Sequence, residues 1–371
     1  MKYRFLIALV FISVCGLAQD VNLIIGTYTG TGSKGIYVYR FNTTTGKANW
    51  VSNTDSMVNP SFLTVSANGK YVYSVSESGG KFPGKINAFS FDRKTGSLKF
   101  INAQTSGGDN PCYVSVTKNG KWVAAGNYTG GNLSVFKTNA NGSLKPAAQF
   151  IQHEGIGPNT TRQEKAHVHA TVFSPDEKFL YVPDLGIDKV MIYKFKSSSN
   201  IPMEPATVPI ATTPPGSGPR HFVFHPLKSY AYLIKELSGE VEAFRYSKGK
   251  LTSIQNIATH PDDFKGQPGS ADIHLSPDGK FLYASNRGQE NNIAIFAVNP
   301  TNGLLESRGY QSTLGSKPRN FCIDPTGNFL LVANQDSGNI VIFKRDQLTG
   351  LLSPTGDEIK IPKPVCLQMM R

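Results

Sequence analysis

One phrase recurs seven times along the chain: a short apolar strand with an aromatic end that follows a polar turn. The copies begin at Gly35, Lys85, Asn132, Lys189, Glu240, Asn292 and Asn339, 47 to 57 residues apart. A second phrase precedes six of them, a tight turn typified by Asn68-Gly69, Asn119-Gly120 and Asp278-Gly279. Such pairs between apolar runs form hairpins, because the turn needs a positive φ that Gly and Asn tolerate. Each unit therefore reads as a meander of about four strands, and a period near 50 is the spacing of propeller blades. One innermost strand is missing until the far end, where Lys363-Pro364-Val365-Cys366-Leu367 imitates Lys317-Pro318-Arg319-Asn320-Phe321. The expected architecture is all-β: a seven-bladed β-propeller closed by pairing of the N- and C-terminal strands in one blade. A solenoid or a pair of sandwiches does not explain a terminus that completes the other terminus's repeat.

The chain's first residues set the domain boundary. Lys2 and Arg4 precede an apolar run over residues 5–14, and Gly16-Leu17-Ala18 offers small residues where a signal peptidase cuts. The run is well short of the roughly 20 residues of a membrane-spanning helix, so no transmembrane segment is expected. Residues 1–18 read as a signal peptide and residues 19–371 as one propeller domain, periplasmic or secreted. Cys15 raises lipidation as an alternative, which the bulky Val14 before it disfavours. Without Lys2 and Arg4 the chain keeps 36 basic against 26 acidic residues, which suits an anionic partner. The basic residues are scattered singly through turns rather than clustered with aromatics, which argues against nucleic acid. Three cysteines remain, Cys112, Cys322 and Cys366, an odd number without Cys-x-x-Cys spacing, expected to be buried thiols.

Aligning the repeats turns departures from the pattern into a candidate site. One innermost-strand slot holds Ser61, Cys112, His169, Arg220, Ala271 and Arg319. Two residues earlier, on the same face if the strand alternates, stand Asn59, Asn110, His167, Gly218, Gly269 and Lys317; one residue later come His221 and Asp272 among others. The next strand returns to the same rim, where the slot reads Glu77, Tyr128, Leu185, Glu236, Arg287 and Gln335, with Asn334 just before the last. Arg and His converging on an axis can hold an anion and stabilise an oxyanion, and a shielded Glu can act as a base. The competing reading is ion pairs that tie blades together. His167 and His169 also suit a metal, yet nothing in the spacing selects a third ligand among Asp184, Glu236 and Asp272, so no metal and no cofactor is expected. Gly26-Thr27-Tyr28-Thr29-Gly30 lacks the ending of a phosphate loop and reads as a strand end.

Several local motifs complete the pattern: Ile25-Gly26-Thr27-Tyr28-Thr29, Asn59-Pro60-Ser61, His167-Val168-His169, Gly218-Pro219-Arg220-His221, Glu236-Leu237, Ser285-Asn286-Arg287 and Lys317-Pro318-Arg319 with Asn334-Gln335. With these the chain resembles the seven-bladed lactonase family of propeller-type 6-phosphogluconolactonases and carboxy-cis,cis-muconate cyclases, over nearly its whole mature length. The resemblance implies a metal-independent lactone hydrolase with His169, Arg220, Glu236 and Arg287 as catalytic residues. His167, His221, Asp272, Arg319, Asn334 and Gln335 are the expected substrate-binding residues, with a monomer as the default. Glu236 or His169 would activate water while an Arg stabilises the oxyanion, and Arg220, Arg287 and Arg319 would share a phosphate. The rivals are a muconate-type cycloisomerase and a non-catalytic binding propeller, since a fold alone does not establish function. A secretion signal sits oddly with a phosphorylated cytoplasmic sugar, which leaves the lactone itself open.

Overall fold

A computed structural model describes residues 20–30 and 32–370; the expected signal peptide lies outside them. The described residues form seven four-stranded antiparallel sheets. Blade 1 is built from both ends of the chain. Its order from the axis outward is Pro364–Met370, Asp20–Thr27, Tyr37–Asn42 and Ala48–Asn53. Leu23 lies opposite Met369 and Ile25 opposite Leu367. Blades 2 to 7 follow in sequence, each running from the axis outward, and start at Leu63, Pro111, Val172, Pro219, Ser270 and Pro318. Among the described residues no helix is long and apolar enough to cross a membrane.

The burial pattern explains why the strands read as they do. The second strand of a blade is covered on both faces, so Trp122–Asn127 and Phe329–Asn334 are buried throughout. An outer strand has one wet face, and Leu144–Gln152 mixes half-buried with exposed positions. Neighbouring blades are joined by a repeated hydrogen bond: the Tyr73, Tyr232 and Tyr283 hydroxyls donate to the carbonyls of Gly142, Gly303 and Gly350 in the next blade. These glycines have φ near +80°, and a Cβ at Gly303 would stand 2.5 Å from the Tyr230 ring. No larger residue fits there. Cys112, Cys322 and Cys366 are buried and unpaired.

The innermost strands depart from simple alternation. In blade 5, Pro219 pairs with Lys235 and His221 with Ile234, leaving Arg220 as an extra, bulged residue. Cys112 in blade 3, Arg319 in blade 7 and Val365 in blade 1 are bulged in the same way. The residue two before each bulge is left-handed: Asn110 at φ 53°, Gly218 at 65°, Lys317 at 61° and Lys363 at 47°. Each is followed by proline, which fixes the next φ. A bulge re-aims a side chain at the cost of one ladder position, and in these four blades it turns one residue toward the central space. The bulge interrupts the period of two, so the expectation that residues two apart share a face holds as a shared cavity wall for Lys317 and Arg319 and is corrected for His167 and His169. Asn59 shows the consequence: its side chain accepts from the Thr29 amide at 2.9 Å and donates to the Glu77 carbonyl, tying loops together.

Removing residues 364–371 would strip blade 1 of its inner strand, including buried Val365, Cys366 and Leu367, each contributing about 1.5–3 kcal/mol. Calorimetry on the truncated chain is expected to show loss of the cooperative transition or a melting temperature lower by roughly 10 °C or more. A melt within a few degrees of the full chain contradicts the closure.

Candidate active site

Two strand ends per blade meet at one rim. The bulged inner-strand slot and the end of the second strand surround a cavity of about 460 Å³. Its walls include Tyr28, Glu77, Glu236, Arg287, Lys317 and Arg319, and Arg220 and His221 line the narrow space beside it. One residue further along their strands, Phe62 and Tyr113 stack with centroids 4.1 Å apart, edge-on to His221. The volume suits a sugar acid. A larger groove of about 990 Å³ lies among Met57, Val58, Phe82 and Phe100, without the converging guanidinium groups that mark the central cavity.

Glu236 is the centre of the charge arrangement. One carboxylate oxygen accepts from Arg162 Nη2 at 2.7 Å; the other accepts from Arg220 Nε at 2.8 Å and Arg287 Nη2 at 3.0 Å. Burial opposes its ionisation, but Arg287, Arg220 and Arg162 outweigh burial and hold its carboxyl well below the usual range. The arginines repel one another and are themselves desolvated. Arg220, buried and close to Arg287 and Arg319, is lowered to about 10 and stays charged. A carboxylate bound by three guanidinium groups is favoured in its ionised form, and it holds those groups in fixed positions.

Arg220 is oriented from behind by a relay. Its Nη1 donates to the Ala271 carbonyl at 2.6 Å and faces His221 Nε2 at 3.2 Å. Because a guanidinium only donates, Nε2 must accept, which puts the ring proton on Nδ1, where it is donated to Asp272 Oδ1 at 2.7 Å. Asp272 is held in turn by Asn320 at 2.5 Å and His274 at 2.9 Å. Burial, followed by the Arg220 charge, lowers His221 to about 4. His169, with Nε2 3.9 Å from Glu236, is likewise held well below its usual value, by burial first and then Arg220 and His221. Both imidazoles are neutral at neutral pH.

The residues singled out from the sequence thus fall into three groups. His169, Glu236, Arg287, Arg319 and Gln335 line the cavity, with Arg220 in its narrow extension. His221 also borders that extension, and Asp272 stands behind it. His167 and Asn334 are turned away. The His167 ring stacks on Tyr128 and its Nδ1 donates to the Tyr128 carbonyl at 2.9 Å. Asn334 donates to the Thr313 carbonyl at 3.1 Å, a loop clasp that Asn127 and Asn286 repeat toward Ser106 and Thr259. Asp184 receives the His167 amide and pairs with His153, so the His-x-His strand does not present two imidazoles to one point. Among the described residues, no three His, Cys, Asp or Glu side chains are grouped to hold a metal ion.

Six lining residues lie outside the expected site: Tyr28, Glu77, Cys112, Tyr128, Arg162 and Lys317, of which Glu77, Cys112, Tyr128 and Lys317 stand in aligned slots. Arg162 comes from a long connection outside the repeat, so no aligned slot exposes it. Tyr28 is the second-strand slot of blade 1, hidden because that blade is split between the termini. Cys112 occupies an aligned slot, but burial pushes its thiol up to about 12, so it is no nucleophile. Arg319 differs from the other arginines: its guanidinium lies 5.5 Å over the Tyr28 ring and, among the described residues, has no carboxylate within ion-pair distance. Lys317 beside it is only loosely paired, 3.5 Å from Asp336.

Comparison with known proteins shows the family. Residues 22–369 match the family model "Lactonase, 7-bladed beta-propeller". A 6-phosphogluconolactonase of Formosa agariphila is 44% identical over 355 residues, covering 94% of this chain and 99% of the relative. One from Bacillus subtilis is 37% identical, covering 93% and 97%. Among solved structures, a putative 6-phosphogluconolactonase of Bacteroides fragilis superposes with TM-score 0.90 at 43% identity, covering 95% and 98% of the two chains. A periplasmic gluconolactonase of Pseudomonas aeruginosa does so with TM-score 0.90 at 35% identity, covering 95% and 99%.

The His221 value generates a stability test. Between about 4 and the ordinary 6.5 the unfolded chain binds a proton at this ring that the folded chain refuses. Stability from this group is therefore complete above 6.5 and is lost as pH falls toward 4, on the order of 3 kcal/mol in all. Denaturant unfolding at pH 4.5 and 7 is expected to show a smaller acid loss for His221→Gln than for the parent protein; equal losses contradict the assignment.

Proposed function

The chain belongs to the seven-bladed β-propeller lactonase family and is a sugar-lactone hydrolase; from that premise we propose that its substrate is anionic, a 6-phosphogluconolactone or a related acidic aldonolactone. The observation that carries this reading is the division of labour among the cations. Arg162, Arg220 and Arg287 are committed to Glu236, whereas Arg319 and Lys317 keep donors for a ligand. The substrate's anionic group docks on Arg319 and Lys317. Its ring ester then reaches the Glu236 cluster, where a guanidinium already fixed in place meets the carbonyl oxygen.

Attack of water on the carbonyl carbon moves charge onto that oxygen. Donors that need no reorganisation stabilise the developing oxyanion far better than mobile ones, and Glu236 holds the Arg287 and Arg162 groups ready for this. Glu236 is then an anchor rather than the base. His169, uncharged, offers a hydrogen bond to a hydroxyl or ester oxygen of the ligand without adding repulsion to the arginines. Every step is carried by side chains of the protein, without a metal. The basic, apolar and small-residue order of residues 1–18 supports reading them as an export leader, and with it a periplasmic location like that of the Pseudomonas gluconolactonase. A ring with no open inner edge supports action as a monomer.

Proton-release kinetics with 6-phosphogluconolactone and unphosphorylated gluconolactone test the reading in the presence of EDTA. Turnover is expected to survive the chelator. Arg319→Gln is expected to raise KM for the phosphorylated lactone about tenfold or more, with KM for gluconolactone nearly unchanged. Glu236→Gln, which loosens three guanidinium groups together, should lower kcat on the order of 100-fold. Equal KM effects on both lactones would remove the anion-binding role of Arg319.

A further inference from the structure

The cavity holds a second carboxylate, Glu77, whose surroundings are the reverse of those of Glu236. It ends the second strand of blade 2, three blades from Glu236 in a ring of seven, so the two face each other across the cavity. Its oxygens accept from the Tyr28 hydroxyl at 3.0 and 2.9 Å and from the Ser61 hydroxyl. Both donors are neutral. Among the described residues no cationic side chain lies within ion-pair distance of Glu77, so its charge is not spent on a salt bridge, and it lines the open cavity. The Tyr28 ring that holds it also carries Arg319 on its face, which puts the carboxylate one side chain away from the proposed anion seat.

Resting on the lactonase reading above, we infer that Glu77 is the base that activates water, with Tyr28 and Ser61 as positioning residues. A water molecule beside Glu77 gives a proton to the carboxylate as its oxygen forms the bond to the lactone carbonyl carbon. The carbonyl π electrons move to the oxygen that faces the arginines. Collapse of this intermediate restores the carbonyl and breaks the bond to the ring oxygen, which leaves as an alkoxide and takes the proton back from Glu77. The product hydroxy acid releases its acidic proton to solvent. Glu77 ends as it began, ionised and bound to two hydroxyls. The two hydroxyls fix the carboxylate's direction without adding the charge that disables Glu236.

The test uses Glu77→Gln, which keeps an acceptor for both hydroxyls, and Glu77→Ala, which leaves room for a small carboxylate. The parent protein must first turn over a lactone; failure there removes the hydrolase reading itself. Given turnover, Glu77→Gln is expected to lose on the order of 100-fold in kcat with little change in KM, and Tyr28→Phe about tenfold in kcat. Added formate should restore part of the turnover of Glu77→Ala, by supplying the missing base, and should leave Glu77→Gln unchanged. Retention of kcat within a few-fold in Glu77→Gln overturns the assignment. So does a loss in Glu77→Ala that formate does not relieve while thermal melting shows the variant folded.

Discussion

A ring of sheets has no rim until it is closed, and here closure depends on one antiparallel pairing between the two ends of the chain. The strand Asp20–Thr27 would present an unpaired edge toward the axis without Pro364–Met370, and Pro364–Met370 has no sheet of its own. Everything at the mouth of the channel inherits this constraint. Tyr28 reaches Glu77 because it follows the strand that the C-terminus covers, and Gly26 admits the Pro60 carbonyl where a Cβ would stand 2.4 Å from it. The site is assembled from side chains on every blade together with Arg162 from a connection, so its distances depend on how the blades are set in the ring.

On that frame the chemistry is set by how charge is buried. A single desolvated carboxylate or guanidinium is costly, and Glu236 with Arg162, Arg220 and Arg287 meets the cost by mutual pairing. The same pairing favours the ionised form of Glu236, and the proposed mechanism accordingly uses it as an anchor. Arg319 and Glu77, one cationic and one anionic, both touch Tyr28, and among the described residues neither has an ion-pair partner within reach, although the charge of Glu77 acts on Arg319. The cavity therefore contains a tightly paired cluster around Glu236 and a less committed pair, to which the proposals above give the binding and the proton transfer. Neutral His169 and His221 fit between the cations because burial keeps a further positive charge from forming.

The fold was legible because the repeat is strict. Seven strand phrases and a C-terminal copy of Lys317-Pro318-Arg319 define the blades and their closure from the residues alone. The same alignment leads to His169, Arg220, Glu236, Arg287, Arg319 and Gln335, since each fills a slot whose neighbours lie at one rim. It misleads for His167, because the alternation it assumes is interrupted at the start of the innermost strands. It also misleads for Asn334, which belongs to a repeated loop clasp shared with Asn127 and Asn286. Arg162 has no signature in the repeat, because a residue on an irregular connection is placed only by the folded chain. Glu77 stood in an aligned slot, but its contrast with Glu236 depends on which donors surround each carboxylate, and spacing alone does not carry that.

The central claim is that the arginines are divided between a fixed cluster and a free anion seat. A crystal structure with a non-hydrolysable lactam analogue of 6-phosphogluconolactone tests it most directly. The account predicts phosphate oxygens on Arg319 and Lys317, the lactam carbonyl toward Arg287 and Arg162, and Glu236 still bound to all three of its guanidinium groups. A phosphate seated on Arg220 and Arg287 with Glu236 displaced would contradict it.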